Sequence, residues 1–516
     1  MLKLTKTEIK LFLTFFIISA LFIHWGGWYE NSIFSLTRAI VDEHRFEINS
    51  FANQTSDRAY FNGNYYSDKA PLTAVIGIPS YALSKSLFPN YVNTTFYYPF
   101  FQNNETSIFV YKDPGIFTYF SMILFTLSTS VLLSSLSVIL FYRILQNYFK
   151  DQKTILLLSF IFAFATMIFP YSLSVSVLPT AMFFLLLSFY FILKEKNNRT
   201  NLIFAGIFLG LSFTADYTIV VLFLFFFAYL VATKKTLTKI LLFALSFVAS
   251  LLPLMTYNYI LLGTPFTFMQ KYMDEQVFST VPKEILDNYG FLYPNLGVIF
   301  QILIGSYRGI FFYYPILLLS FVGLFYMRKN FKIDMILFLL IFFGYVIFNS
   351  ARVTWHGGYT FGPRYLFYTI PFLVIPLGFT FRDFKSFPFK IVFFIFLSLS
   401  VFTNILSLQL LEDAIIDSKT LLIQEKYQQI ANSFGLLPNV LFNHYLNLFL
   451  HFGPRSMIIE NLAEGHFDID IRDIPYSRDW ELPYHSGANP FWSYPLILGI
   501  PLLIWFNDIK GLRKKK

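Results

Sequence analysis

Apolar residues along this chain gather in runs too long and too unbroken for a water-facing surface. The runs fall near 11–27, 114–144, 155–171, 175–193, 201–215, 217–232, 239–261, 309–327, 334–350, 364–380, 390–411 and 489–507. Each is close to the roughly 20 residues with which a helix crosses a bilayer. The pattern predicts an all-α integral membrane protein of about 12 transmembrane helices. The fifth and sixth runs are short and meet at Thr214-Ala215-Asp216-Tyr217. Lys194, Lys196 and Arg199 on one side, and Lys234, Lys235 and Lys239 on the other, make that pair a hairpin rather than one span. The first run, Leu11 to Trp25, lacks a small-residue cleavage site and reads as a signal anchor.

Between the runs lie two long polar stretches, 28–113 and 412–488, and a shorter one at 262–308. Within the first, Ala70 to Phe88 is mildly apolar and broken by proline, which predicts a helix lying in the interface. The second mixes an amphipathic part with the acidic stretch Glu464 to Asp473. The expected organisation is a membrane domain over 1–411 that includes the outer loop 28–113. An extracytoplasmic segment over 412–488 follows, then the last helix and a basic tail over 489–516.

Charge gives these segments a direction. With alternating spans, the segments assigned to the cytoplasm hold 23 of the 39 Lys and Arg but only 6 of the 30 Asp and Glu. Basic residues collect on the cytoplasmic side, so both termini are expected inside a multi-pass plasma-membrane protein, with the long polar stretches outside. The net charge of +9 therefore needs membrane lipids as its partner and no nucleic acid. Composition agrees, at 56% hydrophobic and 13% charged residues, too few charges to cover a soluble surface of this size. The absence of cysteine excludes disulfides, thiolate metal sites and a cysteine nucleophile.

The outer stretches hold the candidate chemistry. Glu30 follows the first run directly. Asp57-Arg58, Tyr65-Tyr66 and Asp68-Lys69 surround a turn at Asn62-Gly63. A carboxylate among them is suited to take a proton from an acceptor hydroxyl, and Lys69 to neutralise a phosphate as a point charge. The same residues also serve as helix caps and interface anchors. Arg308, in Gly305-Ser306-Tyr307-Arg308-Gly309, and Arg364, in Thr354-Trp355-His356-Gly357-Gly358-Tyr359-Thr360-Phe361-Gly362-Pro363-Arg364, stand at the outer surface among glycines and aromatics. A guanidinium fork matches phosphate oxygens, although it also snorkels to lipid headgroups. His356 and Tyr359 gain weight from these neighbours. Asp216, at the tip of the short hairpin, is either a functional acid or a helix cap. His466, Asp468, Asp470 and Asp473 have no metal-site spacing and read as a solvated acidic loop.

Taken together, Asp57-Arg58-Ala59, Gly63, Tyr66-Ser67-Asp68-Lys69-Ala70-Pro71, Tyr257-Asn258 with Gly263-Thr264-Pro265-Phe266, Tyr307-Arg308-Gly309 and Gly357 to Leu366 resemble one family. They are similar to prokaryotic membrane glycosyltransferases of the GT-C superfamily, relatives of the dolichyl-phosphate-mannose protein mannosyltransferases and lipid A aminoarabinose transferases. The resemblance runs from about residue 20 to 380. It implies transfer of a sugar from a polyprenyl-phosphate donor to a protein, lipid or glycan acceptor outside the cytoplasm. An acid just after the first helix or in the first outer loop would serve as base, which leaves Glu30, Asp57 and Asp68 as candidates. Lys69, Arg308 and Arg364 would then hold the donor phosphate, and Arg58, Tyr66, Asp216, His356 and Tyr359 would line the cavity. No cofactor is certain, and a divalent cation stays open. Two departures stand out. Glu30-Asn31 keeps one acid of a two-acid motif, and Leu178-Pro179 stands where many relatives carry His and Gly. A transporter or lipid flippase is the rival reading; against it, no repeat is visible and the polar residues crowd one face.

Overall fold

The computed structural model describes residues 4–24, 27–89, 115–195, 198–273, 287–358, 360–383, 386–408, 441–446, 449–450, 453–454, 456, 458–459 and 493–513. The first helix, α1 (Lys6–Leu21), is opened by a capping box in which Thr5 and Glu8 satisfy each other's backbone N–H. It starts before the expected run and ends short of it. The chain then turns into α2 (Trp28–Glu43), a helix in a stretch expected to be loop. A hairpin follows, β1 (Arg58–Phe61) with β2 (Asn64–Ser67). The mildly apolar stretch after it forms α3 (Leu72–Ile76) and α4 (Ile78–Leu87).

The bundle continues with α5 (Gly115–Thr126) and α6 (Leu132–Leu145), continuous through a π-turn at Leu127–Val131. Next come α7 (Gln152–Phe164), α8 (Ile168–Ser172), α9 (Val177–Leu193), α10 (Thr200–Ala215), α11 (Val220–Ala232), α12 (Leu237–Ser250) and α13 (Leu252–Leu262). The later helices are α14 (Leu296–Leu303), α15 (Ile310–Tyr313), α16 (Ser320–Met327), α17 (Lys332–Ser350), α18 (Ile370–Asp383), α19 (Phe387–Leu406) and α20 (Ser493–Arg513).

Among the described residues, five helical stretches are long and apolar enough to cross a bilayer: Phe117–Leu145, Leu237–Leu262, Lys332–Ser350, Arg364–Asp383 and Phe387–Leu406. Gln152–Phe164, Val177–Leu193, Thr200–Ala215, Tyr217–Ala232, Pro315–Met327 and Pro495–Phe506 are apolar but shorter. Among the described residues the expected count of about 12 spans is thus not confirmed; two runs read as single spans are interrupted. Pro315 breaks the run near 309–327, and the freed Ile316 N–H donates to Ser400 Oγ at 3.3 Å. The run near 155–171 breaks between α7 and α8. There, Asn404 Nδ2 donates to the carbonyls of Phe164 and Thr166, each at 2.8 Å, while Tyr314 donates to Asn404 Oδ1 at 3.0 Å. Buried backbone groups freed from a helix need such partners, because lipid offers none.

Charged clasps gather at one end of the bundle. Glu8 accepts from Arg143, Glu195 is shared by Lys235 and Lys239, and Asp334 accepts from Tyr229 at 2.7 Å. At that same end Lys10 pairs with Asp508, and Trp505 Nε1 donates to Thr14 Oγ1 at 3.0 Å. The last helix therefore lies against the first, and the two chain ends share one side. Between the two ends the core mixes leucine and isoleucine with many phenylalanines and tyrosines, with rings such as Phe141 and Phe162 stacked at 4.2 Å.

Candidate functional site

At the opposite end, the site is built outward from a turn. Asn62 (φ 49°) and Gly63 (φ 84°) both adopt left-handed backbone, as a two-residue hairpin turn requires. The register pairs Arg58 with Ser67, so Asp57 and Asp68, one residue beyond that pair on each strand, emerge side by side. Both reach the same ammonium. Lys69 Nζ lies 2.8 Å from Asp57 Oδ2 and 2.8 Å from Asp68 Oδ2. Two contacts fix the carboxylates from α2. Ser32 donates to Asp68 Oδ1 at 3.2 Å and lies 2.9 Å from Ser67 Oγ. Thr55 Oγ1 accepts the Asp57 N–H at 3.0 Å and donates to the Trp28 carbonyl at 2.7 Å. Burial pushes the Asp68 carboxyl up, against the pull of Lys69. Burial alone would lower Lys69, but the Asp57 and Asp68 charges hold it above the usual lysine value.

Glu30 sits in the first turn of α2, where its Oε2 accepts the Gly27 N–H at 3.0 Å. Burial raises its carboxyl to about 7, with the Asp57 charge adding and Arg364 opposing. A carboxyl poised near neutrality is what a general base at physiological pH needs.

The two arginines differ in the partners they hold. Arg308 is buried; its Nε donates to the His356 carbonyl at 2.9 Å and one terminal nitrogen to the Gly358 carbonyl at 2.8 Å. It thereby holds the glycine turn rather than reaching past it. In that turn His356 Nδ1 accepts the Gly358 N–H at 3.0 Å. Burial, reinforced by Arg308 and Arg364, lowers His356 to about 3, so it stays neutral. Arg364, by contrast, donates from one nitrogen to Tyr365 Oη at 3.3 Å, while its buried Nε has no hydrogen-bond partner among the described residues. A buried donor left unmet is costly unless something arrives to meet it.

Tyr29 joins the two halves of the cluster. Lys69 Nζ lies 4.7 Å and the Arg364 guanidinium 5.2 Å from its ring centroid. Tyr171 braces the Arg364 loop by donating to the Phe361 carbonyl at 2.9 Å.

Of the residues named from sequence, Glu30, Asp57, Asp68, Lys69 and Arg364 thus lie together, with Arg308 and His356 behind them. Asp216 has both oxygens engaged: Oδ1 accepts from the Thr218 N–H and hydroxyl, and Oδ2 accepts from Tyr368 at 2.8 Å. It ties α10 to the segment leading into α18. Arg58 braces the hairpin, donating to the Ala52 carbonyl and lying over the Tyr65 ring at 4.4 Å. Tyr66 packs with Ala59, Leu262 and Met269. Neither joins the Lys69 cluster. Tyr359, Glu464, His466, Asp468, Asp470 and Asp473 lie outside the described residues. Tyr29, Ser32 and Tyr171 were not singled out from sequence; Tyr29 stands directly before Glu30, which was its only signal. Among the described residues, no three His, Asp or Glu side chains are placed to hold a metal ion.

Gly357 sits close behind Arg364. It has φ +80°, and a Cβ there would come within 2.9 Å of Arg364 Nε and 3.0 Å of its Cγ. Gly357→Ala is therefore expected to displace the guanidinium and cost about 1 kcal/mol or more of stability through its left-handed backbone. A lowered melting temperature of the purified variant checks the cost.

Residues 116–259 match the family described as dolichyl-phosphate-mannose-protein mannosyltransferase. This match bears out the GT-C resemblance. It lies within α5 to α13, so it contains neither the Lys69 cluster nor Arg364. The chain is also similar to two solved structures. One is ArnT from Cupriavidus metallidurans bound to undecaprenyl phosphate, at 12% identity over 87% of this chain and 75% of that one, with a TM-score of 0.49. The other is the Archaeoglobus fulgidus oligosaccharyltransferase in its apo form, at 12% identity over 85% of this chain and 60% of that one, with a TM-score of 0.45. No curated protein matches the chain.

Proposed function

We propose that this GT-C-like membrane protein transfers a sugar from a polyprenyl-phosphate-linked donor to an acceptor hydroxyl outside the cytoplasm, with inversion. The observation that carries the reading is the convergence of Lys69 and Arg364 on one ring, with Asp57 and Asp68 on Lys69 and Glu30 interacting with Asp57 and Arg364. Two cations from distant parts of the chain suit a phosphate, and the buried unmet Nε of Arg364 supplies a donor for it. Arg308 acts through the glycine turn that carries His356 and Gly358, keeping the Arg364 loop in shape. Both termini lie in the cytoplasm of a plasma-membrane protein, at the end that gathers the basic clasps.

In the reaction, the acceptor oxygen attacks the anomeric carbon as the bond from that carbon to the phosphate oxygen breaks. The hydroxyl proton passes to Glu30, and polyprenyl phosphate leaves with its new negative charge against Lys69 and Arg364. Phosphate is already a good leaving group, so positioning and fixed charge supply most of the acceleration. Asp57 and Asp68 hold Lys69 in place.

The test is transfer of radiolabelled sugar from polyprenyl-phosphate donors to a membrane extract by purified protein, with Asp68→Asn as control. Label should move with the wild type and fall at least about tenfold with the variant. Donor lipid crossing the bilayer of proteoliposomes, with no label transferred, would replace this reading with a flippase.

A further inference from the structure

Resting on the donor reading above, we infer that Tyr29 is a positioning residue whose ring holds the Lys69 ammonium and the Arg364 guanidinium within reach of one and the same phosphate. The Tyr29 ring contacts both cations, with Lys69 Nζ 4.7 Å and the Arg364 guanidinium 5.2 Å from its centroid. Lys69 arrives from the end of β2, held by Asp57 and Asp68. Arg364 arrives some three hundred residues later, after the glycine turn. Two cations drawn to one ring repel each other, and the repulsion is strong where little water screens it. The face of an aromatic ring carries negative charge density and attracts both.

Backbone fixes where the ring stands. Tyr29 lies in the first turn of α2, between Trp28, whose carbonyl accepts from Thr55, and Glu30, which caps the helix through Gly27. The ring is half-buried against the cluster that includes Phe34, Val175 and Val177. Burial raises its hydroxyl to about 12, so the phenol stays neutral and adds no charge of its own. The ring therefore works through its face. It sets the spacing of the two cations before the donor binds, which removes an ordering cost from binding. Tyr29 has no step in the bond exchange itself, so its loss should appear in donor affinity ahead of the rate at saturation.

Three variants in purified, nanodisc-embedded protein test this: Tyr29→Leu, Tyr29→Phe and Tyr29→Trp. The readouts are binding of a short-chain polyprenyl phosphate without sugar, and KM against kcat for the sugar-bearing donor. Tyr29→Leu should weaken polyprenyl phosphate binding about 10- to 30-fold and raise donor KM in proportion, with kcat changed less. Tyr29→Phe and Tyr29→Trp keep a ring face and should restore most of that loss. Leu binding as tightly as wild type would overturn the inference alone. So would Phe losing as much as Leu, because the hydroxyl would then be the active part. Wild type that binds no polyprenyl phosphate would overturn the donor reading and this inference with it.

Discussion

Lys69→Met is expected to lower sugar transfer about 100- to 1000-fold, the range seen when one preorganised charge partner is removed from a developing anion. Two effects act together. The leaving phosphate loses one of its two cations, and Asp57 and Asp68 lose the ammonium that both now contact at 2.8 Å. Two carboxylates left facing each other cannot both stay ionised, so one takes up a proton and the local charge pattern changes. The hairpin itself should survive, because the Asn62-Gly63 turn and the strand ladder do not depend on Lys69. An intact melting transition beside a collapsed single-turnover rate is the expected pair of results. A rate within about threefold of wild type would remove Lys69 from the phosphate site.

Glu30 carries the second large effect. Its carboxyl is raised to about 7, so below that pH it is mostly protonated and cannot accept a proton from the acceptor. The sign follows directly. Activity should rise about tenfold per pH unit below 7 and level off above it, as expected for a base that must be ionised. Glu30→Gln should cost about 100- to 10,000-fold and erase that limb of the profile. Glu30→Asp would keep the charge but shorten the reach, and should retain a limb with a shifted midpoint. A wild-type profile flat from pH 5 to 8 would move the base to Asp57 or Asp68; these pH limits are about two units below and one above the midpoint.

Much of this was legible in the chain because its strongest signals are local. Unbroken apolar runs announce helices without any knowledge of packing, and nearly every run has a helix within it. What escaped was set by long-range partners. The breaks after Phe164 and at Pro315 are stabilised by Asn404 and Ser400, far along the chain. No local pattern says which carbonyls an asparagine will meet. The helix Trp28–Glu43 was hidden because its polar residues are spread among apolar ones in a stretch that looked like loop.

The candidate site divides the same way. Asp68 and Lys69 are neighbours in sequence, so their pairing could be read directly. Asp57 reaches the same ammonium because the two-residue Asn62-Gly63 turn pairs Arg58 with Ser67, a register that can be read only once the flanking residues are known to form strands. Arg308 and Arg364 look alike among their glycines. Only the fold shows that Arg308 donates to the carbonyls of His356 and Gly358, whereas Arg364 lies beside Tyr29 and Tyr365. Asp216 is a different case. For an acid at the tip of an apolar hairpin, the sequence leaves a functional role and a helix cap equally open, and the fold adds that its oxygens accept from Thr218 and Tyr368.

The central claim is one-step displacement, with a carboxylate acting as base on the acceptor and never as nucleophile on the sugar. The anomeric configuration of the product, determined by NMR after transfer from a polyprenyl-phosphate donor of known anomer, tests it most directly. The product is expected in the opposite configuration, with no sugar bound covalently to the protein. Retained configuration, or a sugar ester on Glu30, Asp57 or Asp68, would contradict it.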